Sequence, residues 1–346
     1  MLRVLVVSNI PTPYQMDFLD ELSKHCQLKA AFLWSREANR DWTLSEHPWL
    51  TILEHTDDAT SKQKFQALLD ELKPDVIIVG GYRLPLASWL RHYTTKHKTR
   101  YFYWLEKPLP ASGWRILARK LIWASTLPFA HGVIGIGSEA VAAYGPYARR
   151  VFTMPYSINE ARYARRAATP PALPLRFFFV GQFIERKGTA ELLEAFASIS
   201  PDKAILSLAG SGEQKPLVEA AAAKHAHIKL MGFMEPAALA AEFSKHDVFI
   251  LPSRHDGWAV VVAEAMAAGL PVISTAHTGA FVDLVAANDC GRACEVTAES
   301  IRAAVQYYID NPSEVTRQGT RGYEVLVGSR AKATRAVADL LNMLEG

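Results

Sequence analysis

The chain alternates short apolar runs with stretches in which apolar positions recur every three or four residues. Residues 3–7, 28–34, 76–79, 100–104 and 132–136 read as strands, and residues 17–25 and 65–72 as amphipathic helices. Strands alternating with helices predict βαβ units on a parallel sheet, with ligand chemistry in the loops that follow the strands. The pattern lapses over residues 161–174, ARYARRAATPPALP, which has no apolar period and three prolines and reads as a linker. It resumes at Arg176, and apolar strands follow over 177–180, 206–209, 228–234, 248–251 and 272–273. After Gly328, with Ser329 as a cap, Ala333, Ala336, Val337, Leu340, Leu341 and Leu344 fall at helical spacing and predict a closing helix over 329–346. The expectation is an α/β protein of two Rossmann-like domains, residues 1–160 and 175–328, hinged over a cleft.

Several of the loops after strands carry candidate chemistry. Ser8 to Tyr14 holds two prolines, so it is stiff, and it presents Asn9, Thr12 and Tyr14. Gly80-Gly81-Tyr82-Arg83 allows close approach of a ligand or another backbone. Glu106 and Lys107 follow the strand that ends at Trp104. In RFFFVGQFIERKG, the strand ends at Gly181 and Gln182, and Arg186 and Lys187 precede the helix that Gly188 and Thr189 open. Two cations at the carboxyl end of a strand suit a diphosphate, since Arg forks onto two oxygens and Lys supplies a mobile point charge. The stretch LPSRHDGWAVVVAEAMAAGLPVIS reads as strand, polar turn, helix, Gly269 stop and strand. Asp256 sits in the turn and Glu264 eight residues later, about two helical turns in. Together the two carboxylates could hold two hydroxyl-bearing parts of one ligand; alone, Asp256 reads equally well as a helix N-cap and Glu264 as a surface residue.

Asp256, seven residues, Glu264 and then AMAAGLPVI resemble the signature of the group 1 (family four) retaining glycosyltransferases of the GT-B fold. The family form is Glu, Gly, aromatic, Gly, four residues, Glu, Ala, followed by Gly-x-Pro-Val-Ile. Here Asp256 stands for the first Glu, and Ala259 for the Gly after the aromatic Trp258. Lys187-Gly188 matches the Lys-Gly that precedes the helix in relatives, whereas Gln182 occupies their usual Arg position and leaves Arg186 to supply that charge. Gly210-Ser211-Gly212, Gly232-Phe233 and Thr278-Gly279-Ala280 with Asp283 follow in the family order, so the ordered match spans residues 176–285.

What the resemblance implies is specific. Gly181, Gln182, Gly210, Gly212, Ser253, Gly257, Trp258 and Ala259 would line the donor, Phe233 would lie beside its base and Glu264 would hold its ribose. Arg186 and Lys187 would neutralise the leaving diphosphate, and Asp256 would hold sugar hydroxyls. Asn9, Thr12, Tyr14, Gly81 and Tyr82 would face the acceptor. Glu106 falls near a position where many relatives carry a catalytic-site His. The closing helix would cross back to the first domain.

Composition narrows the partners. With 346 residues, 49% of them hydrophobic, the chain is long enough for two cores, and no apolar run approaches the roughly 20 residues that span a bilayer. Cys26, Cys290 and Cys294 show no paired spacing, which argues against a disulfide framework or a four-ligand zinc site. Net charge is +3 overall, but residues 1–166 hold 22 Lys and Arg against 15 Asp and Glu, a balance of +7 that leaves the remainder acidic. A basic half suits an anionic surface or substrate, and no nucleic-acid module is recognisable. Residues 114–129, WRILARKLIWASTLPF, form a cationic, Trp-bearing amphipathic pattern. Its apolar face is expected in the core, with an anionic membrane interface as the alternative.

The expected activity is transfer of a sugar from a nucleoside-diphosphate sugar to a glycan or lipid-linked acceptor, in the cytoplasm or at the inner face of the membrane. The chain has no Asp-x-Asp triplet, so no metal or other cofactor is expected. A nucleotide-sugar epimerase of the same fold and a sugar-nucleotide-binding protein without turnover remain open; a glycan phosphorylase is disfavoured by the short chain and the lack of a recognisable pyridoxal-phosphate lysine site.

Overall fold

The computed structural model describes residues 1–35, 46–54, 58–81, 87–154, 156 and 158–345; for 58, 87, 88 and 330–345 it describes the backbone alone. The chain separates into two compact units, Met1–Ser157 with Ala331–Gly346, and Ile158–Arg330.

In the first unit the elements run β1 (Arg3–Ser8), α1 (Pro13–Ser23), β2 (Gln27–Phe32), β3 (Leu50–Ile52), α2 (Asp58–Leu72), β4 (Val76–Gly80), α3 (Ala87–His97), β5 (Arg100–Leu105), α4 (Trp114–Thr126), β6 (Gly132–Gly135), α5 (Ser138–Tyr144) and β7 (Val151–Thr153). The strands pair in parallel in the order β3-β2-β1-β4-β5-β6-β7. Helices cover both faces of such a sheet, so its strands bury residues of either parity: Val4 through Val7 and Val76 through Val79 are all buried. Leu5, Val7, Ile77, Val79, Tyr101 and Tyr103 meet Phe65 and Leu69 of α2 in the core.

The second unit runs β8 (Leu175–Val180), α6 (Thr189–Ala197), β9 (Ala204–Ala209), α7 (Lys215–Lys224), β10 (Ile228–Gly232), α8 (Pro236–Phe243), β11 (Val248–Leu251), α9 (Val260–Ala267), β12 (Val272–Ser274), β13 (Gly291–Ala293), α10 (Ala298–Asp310) and α11 (Pro312–Glu345). Its six strands are parallel in the order β10-β9-β8-β11-β12-β13. In both sheets the order reverses beside the first strand, between β1 and β4 and between β8 and β11. Open α/β sheets bind ligands beyond the carboxyl ends of strands at such a switch point.

Three expectations need correction. α1 begins at Pro13, with Thr12 at its N-cap, where residues 8–14 read as loop; a proline at the first helical position is preorganised for the helix and stiffens no loop. No helix starts after Gly328, because α11 passes through it without a break. One internal glycine costs only about 1 kcal/mol against alanine, too little to stop a long packed helix. Nor is the 161–174 stretch loose throughout. Arg166 donates from its backbone N to the Ala268 carbonyl at 2.8 Å and from Nε to Asp247 at 3.0 Å, and the Arg165 guanidinium lies 4.0 Å from the Tyr323 ring centroid. Side chains thus strap a segment that lacks apolar periodicity onto the second unit.

Candidate active site

The loops that follow β8 and β11 meet at the switch point of the second sheet. A 3-10 turn over Glu185–Lys187 ends at Gly188, whose φ of 69° is left-handed. A Cβ at Gly188 would stand 2.2 Å from the Pro252 carbonyl oxygen, so only glycine lets the two loops close on each other. The closure brings Lys187 and Asp256 together. The Lys187 ammonium donates to the Asp256 carboxylate, and both side chains are nearly buried, 11% and 13% exposed. Arg186 donates from Nη1 to the His255 carbonyl at 2.8 Å, and the same nitrogen lies 3.8 Å from Asp256 Oδ2. Arg254 N donates to the Arg186 carbonyl at 2.8 Å, and the Arg254 guanidinium pairs with Glu191 of α6.

The turn holding Asp256 is braced from the loop that follows β12. Asp256 N donates to His277 O at 3.1 Å, Gly279 N to Asp256 O at 3.3 Å and Ala280 N to Trp258 O at 2.8 Å. α9 starts at Val260 behind Ala259, which has φ 64° and ψ 72°. Asp256 is therefore no helix cap; its carboxylate faces cations. On α9, Glu264 accepts a hydrogen bond from the Tyr163 hydroxyl at 3.0 Å.

Other predicted donor residues take structural places. A Cβ at Gly210 would meet the Gly181 carbonyl oxygen at 1.9 Å and one at Gly212 the Phe183 carbonyl oxygen at 2.5 Å, so these glycines serve the packing of one loop on the next. Ser253 and Trp258 are buried, 0% and 2% exposed, inside the turn and not on its surface. Gly181 closes β8 through its N–H to Ala209 O at 3.1 Å, and Gln182 follows it half-buried. Gly257 is held against Gly279, where a Cβ would meet the Gly257 carbonyl oxygen at 2.5 Å. Phe233 is half-exposed beyond β10, with β9 and β8 between its strand and β11.

In the first unit the loops after β1, β4 and β5 also converge at a switch point. A Cβ at Gly80 would lie 2.8 Å from Ser8 Oγ. Gln15 Nε2 donates to that same Oγ at 3.3 Å, while Gln15 Oε1 accepts from Thr12 Oγ1 at 3.1 Å. Thr12 is thus buried and occupied in starting α1. Asn9 is exposed, and its carbonyl accepts from Trp34 N at 2.9 Å. Tyr14 packs its ring 4.5 Å from that of Tyr156, which lies 5.2 Å from Trp104. Burial, then the negative charge of Glu106 and the neighbouring Tyr14 phenol, hold Tyr156 well above the usual phenol range. Gly81 has φ 106° at the end of β4, and Tyr82 lies outside the described residues.

Comparison with known proteins turns this geometry into a family. Residues 164–325, which contain the whole β8 and β11 loop arrangement, match the family model "Glycosyl transferases group 1". Those residues form a group 1 glycosyl transferase domain. Similar proteins include a glycogen synthase of Mycobacterium tuberculosis, 25% identical over 189 residues that are 53% of this chain and 45% of the relative. Another is the lipopolysaccharide core biosynthesis glycosyltransferase LpsE of Rhizobium meliloti, 31% identical over 181 residues, 50% of this chain and 51% of the relative. The matched stretch is about half the length of these curated relatives. Over 99% of both chains the fold is that of sucrose-phosphate synthase from Thermosynechococcus elongatus, with a TM-score of 0.78 at 17% identity. It is also that of Anabaena Alr3699/HepE, solved with UDP and glucose, with a TM-score of 0.74 at 12% identity over 99% and 100% of the two chains. The architecture is GT-B.

Two residues of this transferase fold carried no motif in the sequence reading. Tyr163 sits in the aperiodic stretch, and its only signal was an aromatic side chain among arginines. Tyr156 follows β7, a three-residue strand too short for its period to register.

Proposed function

We propose that the protein is a glycosyltransferase that moves a sugar from a nucleoside-diphosphate sugar to a glycan or lipid-linked acceptor, with retention at the anomeric carbon and without a divalent metal. The observation that carries the reading is the convergence of Lys187 and Arg186 from the β8 loop on Asp256 of the β11 loop, at the switch point of a group 1 transferase domain. When the bond from the anomeric carbon to the diphosphate breaks, its electron pair leaves with the phosphate oxygen. Two fixed cations and the amino end of α6 favour that charge, and cations already in place need no reorganisation as the bond breaks. Asp256, anchored by Lys187, would take sugar hydroxyls, and Glu264 the ribose. The acceptor hydroxyl oxygen forms the new bond and its proton passes to the departing diphosphate oxygen; Asn9, Tyr14, Gly81, Tyr82 and Glu106 would border the acceptor. The UDP and glucose in the Anabaena structure of the same fold support this class of donor.

A membrane surface belongs to the same reading. Core burial was expected for α4, yet the helix buries only Trp123. Trp114 is 76% exposed and Leu117 and Leu121 are each 62% exposed, on one face by their spacing. Leu109 and Phe129 beside them are exposed too, among the exposed cations Arg115 and Lys120. A cationic helix with an apolar outer face suits an anionic bilayer interface, where a lipid-linked acceptor would be held. Among the described residues, no helix is long and apolar enough to cross a membrane.

The test is turnover of UDP-, GDP-, ADP- and dTDP-sugars with glycan or lipid acceptors, with and without EDTA, and proton NMR of the product. Loss of activity in EDTA that magnesium restores would remove the metal-free part. An inverted product would remove retention.

A further inference from the structure

Glu264 does not stand alone on α9. The strap that enters the second unit passes beside it, through a 3-10 turn over Glu160–Arg162, and places the Tyr163 hydroxyl 3.0 Å from Glu264 Oε1. Tyr163 is fixed from two further sides. Its ring meets Phe243 edge-on at 6.0 Å, and three residues later Arg166 is tied to Asp247 and to the Ala268 carbonyl beyond the end of α9. A tyrosine with its ring packed and its backbone strapped presents one donor in one direction. A carboxylate offers two oxygens and about four lone-pair sites, so it can accept from a phenol and from a vicinal diol together.

Resting on the donor-site reading above, we propose that Tyr163 is a positioning residue: its hydroxyl sets the rotation of the Glu264 carboxylate for the ribose of the donor nucleotide. Glutamate has three rotatable side-chain bonds, and ordering them on binding weakens affinity. A hydrogen bond already made in the resting molecule removes part of that loss. Tyr163→Phe keeps the ring and its contact with Phe243 and deletes only the donor, so the resting fold should melt close to the wild type.

The experiment titrates wild type, Tyr163→Phe, Glu264→Gln and the double variant with UDP, GDP and ADP. It then repeats the tightest of them with its 2′,3′-dideoxy counterpart. Tyr163→Phe should weaken the ribonucleotide about three- to tenfold, below the roughly tenfold to hundredfold of a lost hydrogen bond to a charged group, because Glu264 keeps its own contact with the ribose and loses only its orientation. It should leave the dideoxy compound nearly unchanged, and it should add little to Glu264→Gln. If Glu264→Gln narrows the ribose preference while Tyr163→Phe binds like wild type, or if the two effects simply add, the positioning role is wrong and the donor site stands. If Glu264→Gln leaves ribonucleotide binding unchanged, or no nucleotide binds the wild type, the donor-site reading fails and this inference with it. A Tyr163→Phe protein that melts early and loses both nucleotides equally would make the contact structural only.

Discussion

Replacing Lys187 separates the two tasks that the geometry gives it. In the resting molecule its ammonium pairs with Asp256, both side chains being nearly buried. Breaking a fully buried pair by removing one partner costs about 3–5 kcal/mol, because a charge is left behind in a dry place. Here the second cation, Arg186 at 3.8 Å from the same carboxylate oxygen, offsets part of that loss, but its 37% exposed side chain is screened by solvent. Lys187→Met should therefore destabilise by about 2 kcal/mol, or roughly 4–8 °C in the melting midpoint of a unit this size. Asp256→Asn on the Met background removes the stranded charge and should return most of that stability. Turnover behaves differently: loss of one preformed cation at the leaving diphosphate costs about a hundredfold or more, and the double variant stays inactive. Thermal melts and donor turnover on the four proteins of the cycle check both halves. Losses of stability that simply add in the double variant would refute the pairing, and a Lys187→Met protein with near wild-type turnover would take Lys187 out of the reaction.

Three further outcomes follow from other parts of the fold. Gly188→Ala should lower both melting point and activity by forcing apart the Lys187 and Asp256 loops, since its Cβ would meet Pro252 O at 2.2 Å; a stable, active variant would show that the loops close without it. His246, stacked on Phe178 at 4.2 Å, and His131 are held below the usual imidazole pKa, chiefly by burial. The folded protein keeps both rings neutral while the unfolded chain takes up protons below about pH 6.5, so stability is full above that pH and declines as the pH falls through it. His246→Phe should flatten that decline in urea midpoints measured from pH 7.5 to 5, and an unchanged slope would exclude His246 as a source. Trp114→Ser with Leu117→Ser and Leu121→Ser should abolish flotation with anionic liposomes at low salt and leave transfer to a soluble acceptor intact; wild-type protein that fails to float refutes the membrane face outright.

How far the residues spoke for themselves depended on how local each signal was. Most strands of both sheets, the cation pair after β8 and the two acidic positions around α9 are written in short contiguous patterns. Periodicity and turn chemistry register such patterns directly. Strands of three residues, such as β3, β7 and β13, hold too few positions for a period to show. The choice between exposure and burial of α4 could not be read from an amphipathic pattern, since a helix with one apolar face looks the same whether that face meets a core or solvent. The resemblance sets Gly210 and Gly212 along the donor, and the neighbouring loop that packs on both of them has no signal in the local pattern.

Ala259 shows the limit most clearly. In sequence it shows only as a departure from the family glycine after Trp258, whereas the backbone there is left-handed, with φ 64° and ψ 72°. A non-glycine residue held in that region costs about 1 kcal/mol or more, and it persists only where the surroundings over-determine it. Here they do: Ala280 N holds the Trp258 carbonyl at 2.8 Å on one side, and Val262 N holds the Ala259 carbonyl at 3.0 Å on the other. The conformation is thus imposed by the β12 loop, about twenty residues on, and by the first turn of α9. The same reasoning applies to Asp256, whose capping and ligand-facing roles look identical in sequence. The start of α9 at Val260, with Ala259 at its N-cap, excludes the capping role, and the closure of the Gly188 loop on Pro252 puts a lysine from 69 residues away against the carboxylate.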